Sequence, residues 1–104
     1  MEAHMISVPY FPFYTSDYLT SEKVKLMSLT GEGAYLRLLC NQWKEGSIPS
    51  DRSAIVLLCK GHDGPFIDEA ISCFSKHPRK PDRLINKRME IERRKMVEHR
   101  KIKK

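Results

Sequence analysis

Basic side chains, whose ammonium and guanidinium groups neutralise phosphates, are concentrated at the C-terminal end of this sequence. Residues 1–75 contain six Lys or Arg and nine Asp or Glu, for a net charge of −3, whereas residues 76–104 contain thirteen and four, for +9. This polarity is expected when one end of a protein meets a polyanion such as nucleic acid. A solvated charged tail has the same composition, so both interpretations stay open.

Nine cations in this part of the chain are our candidates for contacts with a phosphate backbone. Such contacts hold a protein on duplex DNA with little sequence preference, and each steepens the salt dependence of binding by about one unit of slope. The candidates are Arg79, Lys80, Arg83, Lys87, Arg88, Arg93, Arg94, Lys95 and Arg100.

Residue types that perform metal or covalent chemistry form no complete pattern. The histidines are scattered, and Cys59 with His62 makes only half of a metal-ligand motif. Gly31–Gly33 lacks the lysine and the strand context of a phosphate-binding loop. We expect Cys40, Cys59 and Cys73 to be buried, reduced thiols within helices. We therefore predict that the protein is not an enzyme and needs neither a metal nor a cofactor.

The element expected to organise the core is an amphipathic helix over Leu29–Trp43. Thr30 suits its N-cap and Gly46 the position just after its end. Gly33 is unusual so early in a helix, which suggests that another backbone passes close to it. The side chains that recur at helical spacing on the inner face are Leu36, Leu39, Cys40 and Trp43.

The segment Val8–Tyr14 combines four aromatic residues with two prolines, which exclude a helix interior. We expect an extended segment or an edge strand. Its rings should pack on the core rather than stack on bases, because no basic residue is interleaved with them. Ser21 is then expected to cap a short helix over Glu22–Met27.

Two further helices are expected in the middle of the chain. A turn with room for a very short strand, at Ile48–Pro49, precedes a second helix that Ser50 or Asp51 caps and Gly61 ends. Pro65 then opens a third helix, because proline is favoured in a first turn.

The third helix has an apolar stripe and an acidic outer face. Its apolar side chains are Phe66, Ile67, Ala70, Ile71 and Phe74. The outer face carries Asp68 and Glu69, which a phosphate backbone repels, and it offers no side chains that read base edges. If the domain binds DNA, we expect contacts from the C-terminal region instead.

The sequence of that C-terminal region predicts a hairpin followed by a charged helix. Pro78–Asp82 is a turn, Arg83–Asn86 a strand, and Ser75–His77 its partner. The last helix should dock at Met89 and fray towards Lys104.

The expected fold is mainly α and winged-helix-like, a variant of the helix-turn-helix, because three helices precede a two-stranded wing. An N-terminal extended aromatic segment and a C-terminal charged helix flank it. We place a leader added by cloning at 1–5, the winged-helix-like domain at 6–88, and the basic helix or tail at 89–104. No signal peptide or membrane span is present in the sequence, so we expect a cytoplasmic protein.

Several of these segments resemble the N-terminal domain of the YdaU-like family of phages and prophages. The segments that carry the resemblance are Pro9–Tyr14, Asp17–Leu19, Leu29–Leu39, Trp43, Ile48–Pro49, the third helix, which we expect to end at Phe74, and Leu84–Arg88 with Glu90 and Glu92. The likeness covers nearly the whole chain after Met5. The sequence departs from the family before the wing strand, where Pro81–Leu84 replaces an acidic residue, a glycine and an aromatic residue.

The resemblance implies a winged-helix-like domain at the front of a longer phage replication-initiation or primosome-type protein. Such proteins are thought to bind origin DNA beside a replicative helicase or a helicase loader. Because the sequence ends after the charged helix, we expect the helicase-recruiting part to be absent.

The alternative is a protein-interaction or assembly module that holds a helicase, a loader or a second copy of itself, without direct DNA binding. The acidic third helix favours this alternative, and a homodimer is one of its forms. Titration of a labelled duplex at two salt concentrations discriminates between the two hypotheses.

Overall fold

The computed structural model of the protein describes residues 8–103, and the side chains of residues 8–99. Within that range the chain is mainly helical with one small antiparallel sheet. Its elements are α1 (Thr15–Thr20), α2 (Glu22–Leu26), α3 (Leu29–Glu45), β1 (Ile48–Pro49), α4 (Arg52–Leu58), α5 (Pro65–Ile71), β2 (Ser75–Lys76), β3 (Arg83–Ile85) and α6 (Lys87–Lys103). The expected leader, residues 1–5, and the expected fraying at Lys104 lie outside the described residues. None of the helices in residues 8–103 has the length and apolar character that a membrane span requires.

Helix α3 confirms the predicted central helix, but its cap differs from the prediction. The Oγ of Ser28 accepts a hydrogen bond from the backbone N–H of Gly31 at 3.0 Å. The prediction of Thr30 as the N-cap is wrong, because Ser28 supplies the acceptor and Thr30 lies in the first turn. The helix ends as predicted at Gly46, whose φ of 96° is a left-handed conformation that favours glycine.

The close approach to α3 occurs at Gly31 and not at Gly33. A Cβ on Gly31 would overlap the carboxylate of Glu69 from α5, which accepts hydrogen bonds from the N–H and hydroxyl of Ser28. Around Gly33, no atom of the described residues other than its chain neighbours and the backbone of α3 lies within 4 Å of the place a Cβ would occupy. The prediction for Gly33 is therefore wrong, and the neighbour at Gly31 is a side chain rather than a backbone.

The sheet contains three short antiparallel strands in the order β1-β3-β2. Ser75 of β2 lies opposite Ile85 of β3, which confirms the predicted hairpin. Ile48 of β1 lies opposite Leu84 on the other side of β3. The short strand expected at Ile48–Pro49 therefore extends the hairpin into a sheet.

Helices α4 and α5 begin where the sequence predicts. Asp51 caps α4 by accepting a hydrogen bond from a first-turn N–H at 3.1 Å, and Pro65 opens α5. The expectation that this third helix runs to Phe74 is wrong, because α5 ends at Ile71. The N–H groups of Cys73 and Phe74 bond to carbonyls three residues back, so the chain tightens and turns into β2.

The main core lies between α3, α4, α5 and the sheet. Leu38, Ile48, Ile55 and Ile67 are completely buried. Each such side chain stabilises the fold by about 2 kcal/mol relative to an exposed one. This core fixes the strands, and with them the hairpin that extends beyond β2 and β3.

A second apolar cluster attaches the N-terminal segment and α6 to α3. It contains Val8, Leu39, Trp43 and Met89. The indole Nε1 of Trp43 donates a hydrogen bond to the carbonyl of Val8 at 2.7 Å, and the Phe11 ring lies 5.4 Å from the indole. The expected docking of α6 at Met89 is confirmed.

The N-terminal aromatic segment, residues 8–14, forms neither helix nor strand and bends at Pro9, so the expectation of an edge strand is wrong. Its prolines have no N–H group to donate to a sheet. Tyr10, Phe13 and Tyr14 are exposed, so the expectation that these rings pack in the core is wrong for all three. The helix α1 that follows was not predicted, whereas α2 begins as predicted at a Ser21 cap.

The three cysteines differ in burial. Cys59 is buried, which raises the pKa of its thiol, whereas Cys73 is partly buried and Cys40 is exposed. Cys59 and Cys73 lie just after α4 and α5 rather than inside them. The expectation that all three thiols are buried is therefore wrong for Cys40 and Cys73. The expectation that all three lie within helices is wrong for Cys59 and Cys73.

Candidate functional site

The start of α6 is fixed on α3 by two amide side chains. Gln42 is completely buried; its Oε1 accepts from the N–H of Asn86 at 2.6 Å and its Nε2 donates to the Asn86 carbonyl at 3.0 Å. Asn86 in turn caps α6, because its Oδ1 accepts from the N–H of Met89 at 2.9 Å. Since buried polar groups need such partners, this pairing sets the position of α6.

The wing, residues 77–82 between β2 and β3, is fixed at its first residue. The Nδ1 of His77 accepts hydrogen bonds from the backbone N–H groups of Arg79 at 3.0 Å and Lys80 at 3.1 Å. The turn is held through the backbone, and the side chains of Arg79 and Lys80 are exposed to solvent.

The wing, α6 and the C-terminal end of α3 enclose a groove of about 460 Å³, which we call the basic groove. Its charged lining residues are the cations Lys44, Arg79, Lys80, Arg93 and Arg94 and the carboxylates Glu45 and Glu90. Five cations against two carboxylates leave a net charge of +3 when His77 is neutral. No ion pair between described residues involves Lys44, Arg79 or Lys80.

Glu90 occupies two of the groove arginines. Its Oε1 accepts from Nε of Arg93 and its Oε2 from Nε of Arg94, each at 3.0 Å. Burial raises the pKa of Glu90, but the hydrogen bonds from the two guanidinium groups outweigh it and hold that pKa below its ordinary value. Glu90 is therefore ionised at neutral pH and orients both arginines within the basic groove.

Two of the candidate cations make contacts within the protein. Arg83 donates to the Oγ of Ser47 at 2.8 Å and to the Ser47 carbonyl at 3.0 Å. Arg88 lies 2.7 Å from the carboxylate of Asp17, which raises the pKa of the guanidinium, and 4.9 Å above the ring of Tyr14. These arginines join β3 to the end of α3 and α6 to α1.

The remaining candidates lie outside the basic groove or outside the described side chains. Lys87 and Lys95 are exposed on α6 but do not line the groove, and the side chain of Arg100 is not described. Lys44 and His77 line the groove but were not predicted. No signal near either residue indicates this role, because only the fold brings the end of α3 beside the wing.

The acidic residues of α5 are engaged within the protein. Arg52 donates to Asp68 at 2.7 Å and to Asp63 at 2.8 Å, and its hydrogen bond holds the pKa of Asp63 below the usual range. Glu69 accepts from Ser28 at the start of α3. The outer face of α5 is therefore less repulsive to a phosphate backbone than its sequence indicates.

A smaller cavity of about 220 Å³ lies between the N-terminal segment, α3 and α6, and Tyr18 and Tyr35 line it. Burial and then the hydrogen bond to Glu32 raise the pKa of Tyr18, while burial and then the neighbouring Cys73 raise the pKa of Tyr35 to about 12. Both phenols are protonated at neutral pH, so neither serves as a base there. Among the described side chains, no group of three His, Cys, Asp or Glu residues is placed to hold a metal ion.

Comparisons with protein-family models, with curated proteins and with solved structures found no match. Inferences about function therefore depend on the chemistry of the described surfaces. The basic groove combines a concave shape with a charge excess formed by separate segments of the chain.

Proposed function

We propose that this chain is a DNA-binding domain that holds the phosphate backbone in the basic groove. The observation that carries the proposal is the convergence of cations from the end of α3, the wing and α6 on one concave surface. Lys44, Arg79 and Lys80 are exposed and form no ion pair with another described residue, so their charges are available to an external anion.

The order of the elements supports a winged-helix arrangement for this domain. Helices α3, α4 and α5 are followed by the hairpin of β2 and β3, whose connecting loop is the wing, and β1 completes the sheet at the edge of β3. The wing then contributes Arg79 and Lys80 to the basic groove, as expected for a wing that lies along a phosphate backbone.

The composition of α5 supports binding with weak sequence preference. This helix occupies the position of the recognition helix, but its residues, Pro65–Ile71, include no Arg, Lys, Gln or Asn to read base edges. Phosphate contacts from the wing and α6 carry no sequence information directly. Affinity should therefore depend strongly on salt and only slightly on the base sequence.

The resemblance to the YdaU-like family extends the proposal to a biological role. The DNA contact would serve a replication-initiation or primosome-type protein of a phage or prophage. Its partners would be origin DNA and a replicative helicase or helicase loader.

The test is a fluorescence-anisotropy titration of a short labelled duplex between about 50 mM and 200 mM salt. The double substitution Arg79→Ala with Lys80→Ala should flatten the slope of log K against log salt by about two units, one for each lost phosphate contact. The wing turn should persist, because His77 bonds to backbone N–H groups that alanine retains.

Lys25→Ala is the matched control, since Lys25 is an exposed lysine on α2 that does not line the basic groove. It should leave both affinity and slope unchanged. Absence of binding at the lowest salt, both to the duplex and to a single strand of the same length, overturns the proposal. Equal losses of DNA affinity in the control and the double variant would show that the cations of the groove contribute no more to binding than any other surface cation.

A protein-interaction module is the second candidate. Leu19, Leu26 and Leu29 are 68%, 82% and 86% exposed, and exposed apolar side chains from neighbouring elements are typical of interfaces. Light scattering with and without the duplex distinguishes the candidates. The second candidate is supported if the protein is a dimer that binds no duplex and if the double substitution Leu26→Ser with Leu29→Ser converts it to a monomer.

A further inference from the structure

The N-terminal segment presents aromatic rings on the surface next to the basic groove. Tyr10 is 65% exposed and Phe13 is 43% exposed, although large apolar rings are normally buried. Together with Phe11, Trp43 and the exposed Cys40, they line an open hollow of about 620 Å³, which we call the aromatic shelf. The shelf is held in place, because the Trp43 indole bonds to the Val8 carbonyl and packs on Phe11.

The aromatic shelf and the basic groove are adjacent. Trp43 and Lys44 line both, and Val8 of the groove is directly followed by Pro9 and Tyr10 of the shelf. The exposed ammonium group of Lys44 thus lies at the boundary between a cationic surface and an aromatic one. This arrangement supplies the basic residue that the sequence of the N-terminal segment itself lacks.

A cationic groove beside exposed rings matches the chemistry of an unpaired nucleic-acid strand. Such a strand presents phosphates on one side and free base faces on the other, and the faces stack on aromatic side chains whatever the base. In a closed duplex the base faces are stacked on each other and only its ends offer a free one, so the duplex uses the groove alone.

We propose that the aromatic shelf stacks the bases of an unpaired strand whose phosphates lie in the basic groove, so that the domain prefers single-stranded segments to closed duplex. This inference rests on the proposed function, because the groove must first hold the backbone. It adds the class of nucleic acid that the site selects.

The test compares three fluorescently labelled DNAs of equal length: a single strand, a blunt duplex and a duplex with a single-stranded overhang. Wild-type protein should bind the single strand and the overhang more tightly than the blunt duplex. Tyr10→Ala should weaken single-strand binding at least about fivefold, the loss expected for one stacked base, and leave duplex binding unchanged. Tyr10→Phe retains the ring and should restore the affinity.

Leu57→Ala is the matched control, because Leu57 is 75% exposed on α4 and lines neither surface. A matched RNA strand identifies the source of the unpaired bases, and Tyr10-dependent binding of either strand supports the inference. Equal affinities for single strand and duplex, with no effect of Tyr10→Ala, overturn the inference and leave the proposed function standing. No binding of any nucleic acid at low salt overturns the proposed function itself.

Discussion

Charged side chains at the junction of α4 and α5 are arranged differently from those around the basic groove. At the junction, Arg52 bridges Asp63 and Asp68, and each charge has an opposite partner within 3 Å. In the basic groove, Lys44 and the wing cations have no ion pair with another described residue. We call the first region the paired corner.

The difference separates charges that hold the fold from charges that are available to a ligand. Partners in the paired corner satisfy each other and tie the start of α4 to α5. In the basic groove, Glu90 pairs with Arg93 and Arg94, whereas the like charges of Lys44, Arg79 and Lys80 repel one another, and an external anion relieves that repulsion. A change in the first group should therefore alter stability, and a change in the second should alter binding.

The largest expected effect is a loss of stability in one of two arginine variants near the wing. The pair tests whether charges that hold the fold differ from charges that are available to a ligand. Arg83→Ala removes two charge-assisted hydrogen bonds from Ser47, which is 5% exposed, and should lower the free energy of unfolding by about 2 kcal/mol. Arg79→Ala should leave the free energy of unfolding unchanged and weaken DNA binding instead. Urea denaturation of both variants measures the stability difference. Equal stabilities would show that Arg83 is as free as Arg79.

Smaller effects on the free energy of unfolding are expected at two glycines of α3, and the two effects should differ in sign. Gly31→Ala forces Glu69 away from Ser28 and should lower the free energy of unfolding by about 1 kcal/mol or more. Gly33→Ala meets open space on an exposed helix surface and should raise it by about 0.5–1 kcal/mol. Thermal unfolding of the pair decides the sign. Stabilisation by both substitutions would mean that Glu69 is not anchored at this helix start.

Glu90 and its two arginines are the part of the basic groove that resembles the paired corner, and an effect of similar size is expected there. Glu90→Gln releases Arg93 and Arg94 and removes a negative charge near the bound phosphates. DNA affinity should rise about fivefold, which corresponds to about 1 kcal/mol for one charge interaction in a partly solvated groove. The anisotropy titration measures it, and an unchanged or reduced affinity would contradict a competition between Glu90 and DNA.

The acid dependence of stability provides the control for Glu90. Because the pKa of Glu90 in the folded state lies below its ordinary value of 4.5, its contribution to stability is present above that value and is lost as the pH falls through the lowered pKa. Glu90→Gln should therefore be less stable than the wild type at pH 7, and the difference should shrink in acid. A difference that does not change with pH would point to lost packing rather than lost charge.

Local signals predicted the helices and strands well. Asp51, Pro65 and Gly46 mark element ends through their own backbone chemistry, and the structure uses each of them as the sequence indicates. At the start of α3 two candidate caps lie within three residues. The choice of Ser28 over Thr30 depends on Glu69, which reaches Ser28 from α5, so local sequence does not determine it.

The candidate site was predictable only in part, because it is assembled from distant segments. The charge count pointed to the C-terminal region, and four of its nine candidates, Arg79, Lys80, Arg93 and Arg94, line the basic groove. A count of charged residues does not distinguish Arg83, which is hydrogen-bonded to Ser47, from an arginine that is exposed to solvent. The sequence also does not reveal that Gln42 is buried and sets the position of α6, because the same helix carries other polar residues that are exposed.

The position of Trp43 gives the protein a built-in optical reporter. It is the single tryptophan of the chain, and its indole lies where the aromatic shelf and the basic groove meet. Emission excited selectively at the indole therefore reports on this boundary and on the smaller cavity beside it, which Trp43 also lines. Because the indole N–H is committed to Val8, a strand that displaces the N-terminal segment would change the emission wavelength, whereas a base stacked on a neighbouring ring would change the intensity. Unlabelled protein thus distinguishes these two modes of occupancy.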